Sequence, residues 1–440
     1  MTRGAFIGSA ASLFVGCVWA VALANPLAQG DSQGGMRGAV EKAFPPLVGD
    51  GVSDDTAAIQ ARLDSGMSCV YLPPPAKCYL ISKTLKIGSG QELRLDRFSV
   101  VRLAPKSDCP MVENRGYKDG ADKRIALTGG IWDMANLEQS PNPAQYWSFK
   151  PPRPSPLPKH YEYGAFLGIA IRFANVEGIT VRGLTVRNPT MYGIAFCKVS
   201  YFYVDDVSFD YTTWNPLRLN LDGVHFDGHC HHGKISNLRG TCYDDLVALN
   251  ANDVQCAQEE GPIFDVDIDG IYAEYCHSAV RLLSAGADLK RVTVRNVHGN
   301  FYTYAVGLTH YFPKNPRGHF DDIVITDVFA SKVYSPEDIG VNSRTNFPLI
   351  WVQGPVDVGS LTIRNLSRDE RNIAVASIRV DEPAKIKRLT VRDCKVINKM
   401  DKPLPFLDVR GKVDTATVEN NMFVADPGEN VQTTIQENRK

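Results

Sequence analysis

Five short stretches decide the fold: Val292-Thr293-Val294-Arg295-Asn296, Ile323-Val324-Ile325-Thr326-Asp327, Leu361-Thr362-Ile363-Arg364-Asn365, Leu389-Thr390-Val391-Arg392-Asp393 and Ala416-Thr417-Val418-Glu419-Asn420. Each alternates apolar and polar residues, the period-2 signature of a half-buried strand, and each stops on Asn or Asp. Earlier units, Ile179-Thr180-Val181 and Val186-Arg187-Asn188, read the same way. The polar ends run through Asn237, Asp269, Asn296, Asp327, Asn365, Asp393 and Asn420, at spacings of 32, 27, 31, 38, 28 and 27 residues. Asn188 to Asn237 is 49 residues, which suggests two shorter periods. Self-similarity on this scale marks a solenoid or a propeller. Propeller blades need four hairpin-linked strands in about 40–45 residues. These units are shorter, and Asn-Gly hairpin signals are absent. The expected fold is all-β: a right-handed parallel β-helix whose coils stack about 4.8 Å apart, with Asn ladders at the turns.

A solenoid needs covered ends. The one good helix signal is Asp54-Asp55-Thr56 followed by Ala57-Ala58-Ile59-Gln60-Ala61-Arg62-Leu63, a start that predicts a capping helix over 56–65. No boundary interrupts the pattern between it and residue 424. The Pro-rich run 151–158 reads as a long loop, since strands resume after it. The expected division is a signal peptide over 1–24, an extension over 25–45, a β-helix over 46–424 and a polar tail over 425–440.

Residues 1–24 carry Arg3, an apolar run from Ala5 to Ala24 and the small-x-small end Ala22-Leu23-Ala24, the layout of a secretory signal. No other stretch approaches the ~18 apolar residues of a membrane span. The expected protein is exported, with no membrane span after signal removal, and monomeric. Net charge is −1, which gives nucleic acid no electrostatic handle. Ten cysteines are present. Cys69 and Cys78 flank a Pro-rich turn and could pair, and most of the others read as buried free thiols.

The coil period gives spacing a chemical meaning. Asp222, in Asn220-Leu221-Asp222-Gly223, precedes Asp244 and Asp245 by 22 and 23 residues, about one short coil. That brings three carboxylates together on one face, and like-charge repulsion should raise the pKa of at least one. An inverting glycosidase uses such a set, one acid for the leaving oxygen and one carboxylate for water. The same acids could instead hold calcium, with Arg281 as base of a β-elimination. A glycan-binding β-helix without chemistry is the third reading. His225 lies three residues beyond Asp222 and is a substrate or proton-relay candidate. His277 follows the Asp pair by about a coil. His231 and His232 should point to opposite faces of a strand, so no metal site is expected there. Trp214, Tyr243, Tyr302, Tyr304, His310, Tyr311 and Arg317 are candidates for sugar subsites.

These residues resemble a known group. Gly49-Asp50-Gly51-Val52-Ser53-Asp54-Asp55-Thr56-Ala57-Ala58-Ile59-Gln60 resembles the N-terminal signature of the pectin-lyase-like β-helix superfamily. Asn220-Leu221-Asp222-Gly223 and Tyr243-Asp244-Asp245 resemble the N-T-D and G-D-D motifs of glycoside hydrolase family 28, the polygalacturonases. The resemblance implies Asp222, Asp244 and Asp245 as catalytic residues, with Asp245 or Asp222 as general acid and Asp244 as partner in activating water. Asn220, His225, His277, Arg281, Tyr302 and His310 are the residues expected at the substrate, and no cofactor is expected. The family's G-H-G motif is absent, with His277 as a displaced stand-in. Arg281 matches the Arg of its R-I-K motif, whereas Leu283 stands at the Lys. The expected substrate is a carbohydrate polymer or oligosaccharide, with galacturonan not singled out.

Overall fold

The computed structural model describes residues 44–141, 168–216, 218–252, 260–312, 314–336, 346–425 and 432–435. The expected signal segment and the Pro-rich run 151–158 lie outside these residues, as does most of the tail. Residues from Pro45 onward form one unit. Its strands pair in parallel, coil upon coil, as a right-handed parallel β-helix.

Alternation decides which side chains fill the interior. In one sheet, Leu85, Val112, Ile171, Ile194, Val224, Val247, Val280, Val306, Ile350, Ile378 and Leu407 stack in register. All are buried. Each is branched and apolar, which suits a pleated surface packed on both neighbours. Phe196 stacks on Phe226 at 4.8 Å between ring centres, filling the same interior beside the site strands.

The helix spans Thr56–Asp64 and sends Ile59 and Leu63 into the core, closing the N-terminal end as the sequence predicts. Its N-cap residue Asp55 makes no side-chain cap. The Asp55 carboxylate instead accepts the Val48 and Gly49 amides, and Asp54 accepts the Thr56 amide at 2.9 Å. The Gly-Asp-Gly signature thus folds back on the helix start. At the other end, strand Gln432–Ile435 pairs with Pro405–Val409, beyond residue 424.

The corners confirm the polar ends with two shifts. Asn237, Asn296, Asp327, Asn365, Asp393 and Asn420 all adopt φ between 51 and 57, a left-handed corner that Asn and Asp tolerate. Asp269 stays extended, paired with Ser236 and Arg295, and Gly270 takes the corner at φ 94. Asn188 belongs to a different corner, where its side chain accepts the Thr212 and Thr213 amides. The corner column equivalent to Asn237 runs instead through Gly183 and Asp206. Asn296 and Asn365 each donate to the carboxylate one coil below, Asp269 and Asp327, at 2.6 Å. The ladder therefore pairs amides with carboxylates. Cys69 and Cys78 lie on separate strands as free thiols, so the expected disulfide is not formed.

Candidate active site

Strands Val224–Phe226, Asp245–Asn250, Ile263–Leu283 and Asp288–Thr309 stack in that order and carry the site. Val224 stacks on Val247, an offset of 23 residues, which sets Asp222 against Asp245. The Asp245 amide donates to Asp222 Oδ1 at 3.2 Å, and the Gly223 amide donates to the Asp245 carbonyl at 3.0 Å. Asp222 and Asp244 sit in the turns entering these strands, and Asp245 is the first residue of its strand. Close approach requires small residues here. A Cβ at Gly223 would lie 2.6 Å from the Leu246 carbonyl oxygen.

The three acids differ in environment. Asp222 is fully buried and accepts from His225 Nδ1 at 2.6 Å. Burial first, then the Asp244 charge, push its carboxyl up to about 7 against the His225 hydrogen bond. Asp245 is also fully buried. Its Oδ1 accepts from the Tyr304 hydroxyl at 3.2 Å and from the Ser278 hydroxyl, and its Oδ2 forms an ion pair with Arg281 Nε at 2.8 Å, whose N–H donates to Asn250 Oδ1. Burial raises its pKa and Arg281 opposes the rise. Asp244 retains 9% exposure, with Asn220 Nδ2 at 3.5 Å and His277 Nδ1 at 3.6 Å. It alone of the three reaches solvent. Burial works against the Arg281 charge, yet Asp245 and Asp244 hold the guanidinium protonated well beyond its usual range.

Asn220, His277 and Arg281 therefore lie beside the carboxylates. Three other expectations change. His225 is buried, stacked flat on Tyr192 at 4.2 Å, and contacts Asp222 rather than an open face. Tyr302 is buried edge-on against His277 at 5.2 Å, so its ring packs the site from behind. His310 is buried, with Nε2 2.7 Å from the Pro316 carbonyl, and serves its own loop. His231 and His232 also depart from simple alternation. His232 adopts φ 56, which turns the rings together with Nδ1 atoms 2.7 Å apart. Arg317 is engaged by Asp357 at 2.9 Å. Ser278, Asn250 and Asp227 escaped sequence reasoning. Register alone could have found Ser278 and given Tyr304 its role, since the column runs Asp245, Ser278, Tyr304.

Asp244, Asp245 and His277 each offer a ligand atom, all within 4.8 Å of one another. A cation there would meet Arg281, already 2.8 Å from Asp245 Oδ2, so the donor set favours a protein cation over a metal. That oxygen spacing is shorter than the ~6.5–9.5 Å carboxyl separation of a standard inverting pair. Inversion therefore does not follow from the Asp244–Asp245 distance.

No protein-family model matches this chain, and no curated protein sequence matches it. Solved structures do. PfbA, a surface adhesin of Streptococcus pneumoniae, is 15% identical over 87% of this chain and 89% of its own, with a TM-score of 0.57. The likeness is one of fold. The Yersinia enterocolitica family 28 exopolygalacturonase is 15% identical over 86% of this chain and 77% of its own, at 0.52. The endo-xylogalacturonan hydrolase of Aspergillus tubingensis is 13% identical over 86% and 99%, at 0.51. Among the described residues no helix is long and apolar enough to cross a membrane.

Proposed function

We propose that this chain is an exported glycoside hydrolase of the family 28 type that cleaves a polysaccharide or oligosaccharide. The observation that carries the reading is the graded set of carboxylates. One keeps a small exposed fraction and two are fully buried, and one of the fully buried pair is raised to about 7. The acid that still touches solvent suits proton delivery to the leaving oxygen, which must approach from that side. We assign that role to Asp244, with Asp222 and Asp245 as the carboxylate pair that takes the proton of the attacking water. This reverses the roles implied by motif resemblance, because Asp245 is locked by Arg281, Ser278 and Tyr304.

The lyase alternative loses its base. Arg281 is held as a cation by Asp245 and Asp244, and cannot accept a proton. Leu283, at the family lysine position, is buried between Asn250 and Thr309 in register and supplies no charge to a uronate. The proposal therefore stops at glycans as a class. Arg3 and the apolar run after it support export. Likeness to an adhesin favours one second reading, glycan binding without turnover. Asp244→Asn separates the two. Hydrolysis predicts loss of reducing-end release with retained affinity; activity unchanged in Asp244→Asn would sink the assignment.

A further inference from the structure

The His225 imidazole has a carboxylate at each nitrogen. Nδ1 lies 2.6 Å from Asp222 Oδ2, and Nε2 lies 3.1 Å from Asp227 Oδ1. All three side chains are out of solvent. Ala195 and Ala248 occupy the same column one coil before and after, which leaves room for the ring. Tyr192 holds it flat from the preceding coil. A neutral imidazole has one N–H and one lone pair. Between two carboxylates its lone pair would face an acceptor at 2.6 or 3.1 Å, closer than the Asn250 amide at 3.5 Å, a repulsion buried away from bulk solvent. Two charge-assisted hydrogen bonds form only when both nitrogens carry protons.

We infer that His225 is a positioning residue, a standing imidazolium clamped between Asp222 and Asp227 that fixes the Asp222 carboxylate and sustains its charge. Asp227 acts as the rear anchor. Other groups bear on this clamp. Asp244 and Asp245 bear on Asp222 from the next coil. Asn250 Nδ2 lies 3.5 Å from His225 Nε2, and Asn250 Oδ1 accepts Arg281 Nε at 3.3 Å, which links the clamp to the Arg281–Asp245 pair. The energetic direction agrees. Burial disfavours the cation, but the hydrogen bonds of Asp222 and Asp227 outweigh it and carry His225 up to about 10. Asp222 then ionises above about 7 while the ring beside it stays charged.

The kinetic half of this inference rests on the hydrolase reading; the protonation half does not. Side-chain nitrogen NMR of histidine-labelled protein tests the latter directly, with the His225 signal assigned by its loss in His225→Gln. The expected result is a ring protonated on both nitrogens at about pH 8, where an ordinary histidine is neutral. Asp227→Asn should bring its titration down toward the usual range. A singly protonated ring at about pH 8 in the natural protein overturns the clamp. On an active substrate, removing the cation in His225→Gln should move the acid limb of kcat/KM upward by about one pH unit or more, because Asp222 loses the charge that favours its ionised form. A merely structural histidine would lower activity without moving that limb. An imidazolium whose removal leaves the limb in place overturns its role in holding Asp222.

Discussion

Arg281→Met tests the electrostatic frame of the site. Asp245 is fully buried and the Arg281 side chain is 13% exposed, so the pair sits largely outside solvent screening. Removing the guanidinium leaves a buried carboxylate without its cation, which costs roughly 3–5 kcal/mol. For a unit of about 400 residues, the unfolding entropy near the melting point is about 0.8 kcal/mol/K, so Tm should fall by about 4–6 °C. The pH dependence has a definite sign. Asp245 already has a raised pKa, and losing Arg281 raises it further. A carboxyl raised in the folded state stabilises below its unfolded pKa and loses that contribution as pH rises through the folded value. The variant should therefore be most damaged at neutral pH and approach the natural protein near about pH 4, where the acid is protonated. Calorimetric melts across this range provide the assay. Arg281→Met with Asp245→Asn should regain most of the lost Tm. An equal penalty at both pH extremes, or no recovery in the double variant, refutes the reasoning.

Three further outcomes follow from particular contacts. Gly193→Ala places a Cβ 2.3 Å from the Tyr211 hydroxyl, which donates to the Asp222 carbonyl at 2.9 Å. Steady-state kinetics should show a loss of about tenfold or more, since small displacements of positioning groups are costly. Chelation should leave activity unchanged and products should not absorb as unsaturated sugars; the opposite pair of results would restore the calcium lyase. Alkylation of unreduced, unfolded protein should modify both Cys69 and Cys78, and a mass-detected linked peptide would contradict the free thiols in the structure.

The β-helix was legible because each coil repeats one requirement. An inward branched residue such as Val224, Val247 or Val280 must recur on every rung, and period 2 exposes that in the sequence. Corners were legible to within a residue. Asp269 and Gly270 are both turn formers, and only the pairing register shows that Asp269 remains extended. The 22- and 23-residue offsets correctly brought three acids together. What the sequence did not convey was depth. Motif spacing cannot distinguish Asp244, which keeps 9% exposure, from the fully buried Asp245 beside Arg281, because burial depends on the neighbouring coil. His225 illustrates the same limit, since its second partner, Asp227, has no counterpart in the motif. The His231–His232 contact depends on a left-handed backbone at His232 that alternation does not anticipate.

The proposed chemistry is hydrolytic cleavage of a glycan with Asp244 as the acid. Digestion of a panel of neutral and acidic polysaccharides, read by mass spectrometry in water enriched in heavy oxygen, tests it most directly. The expected products are saturated fragments with one labelled oxygen at the new reducing end, and none from Asp244→Asn protein that still binds the same glycan. Unsaturated fragments, or binding across the panel with no cleavage by the natural protein, would contradict it.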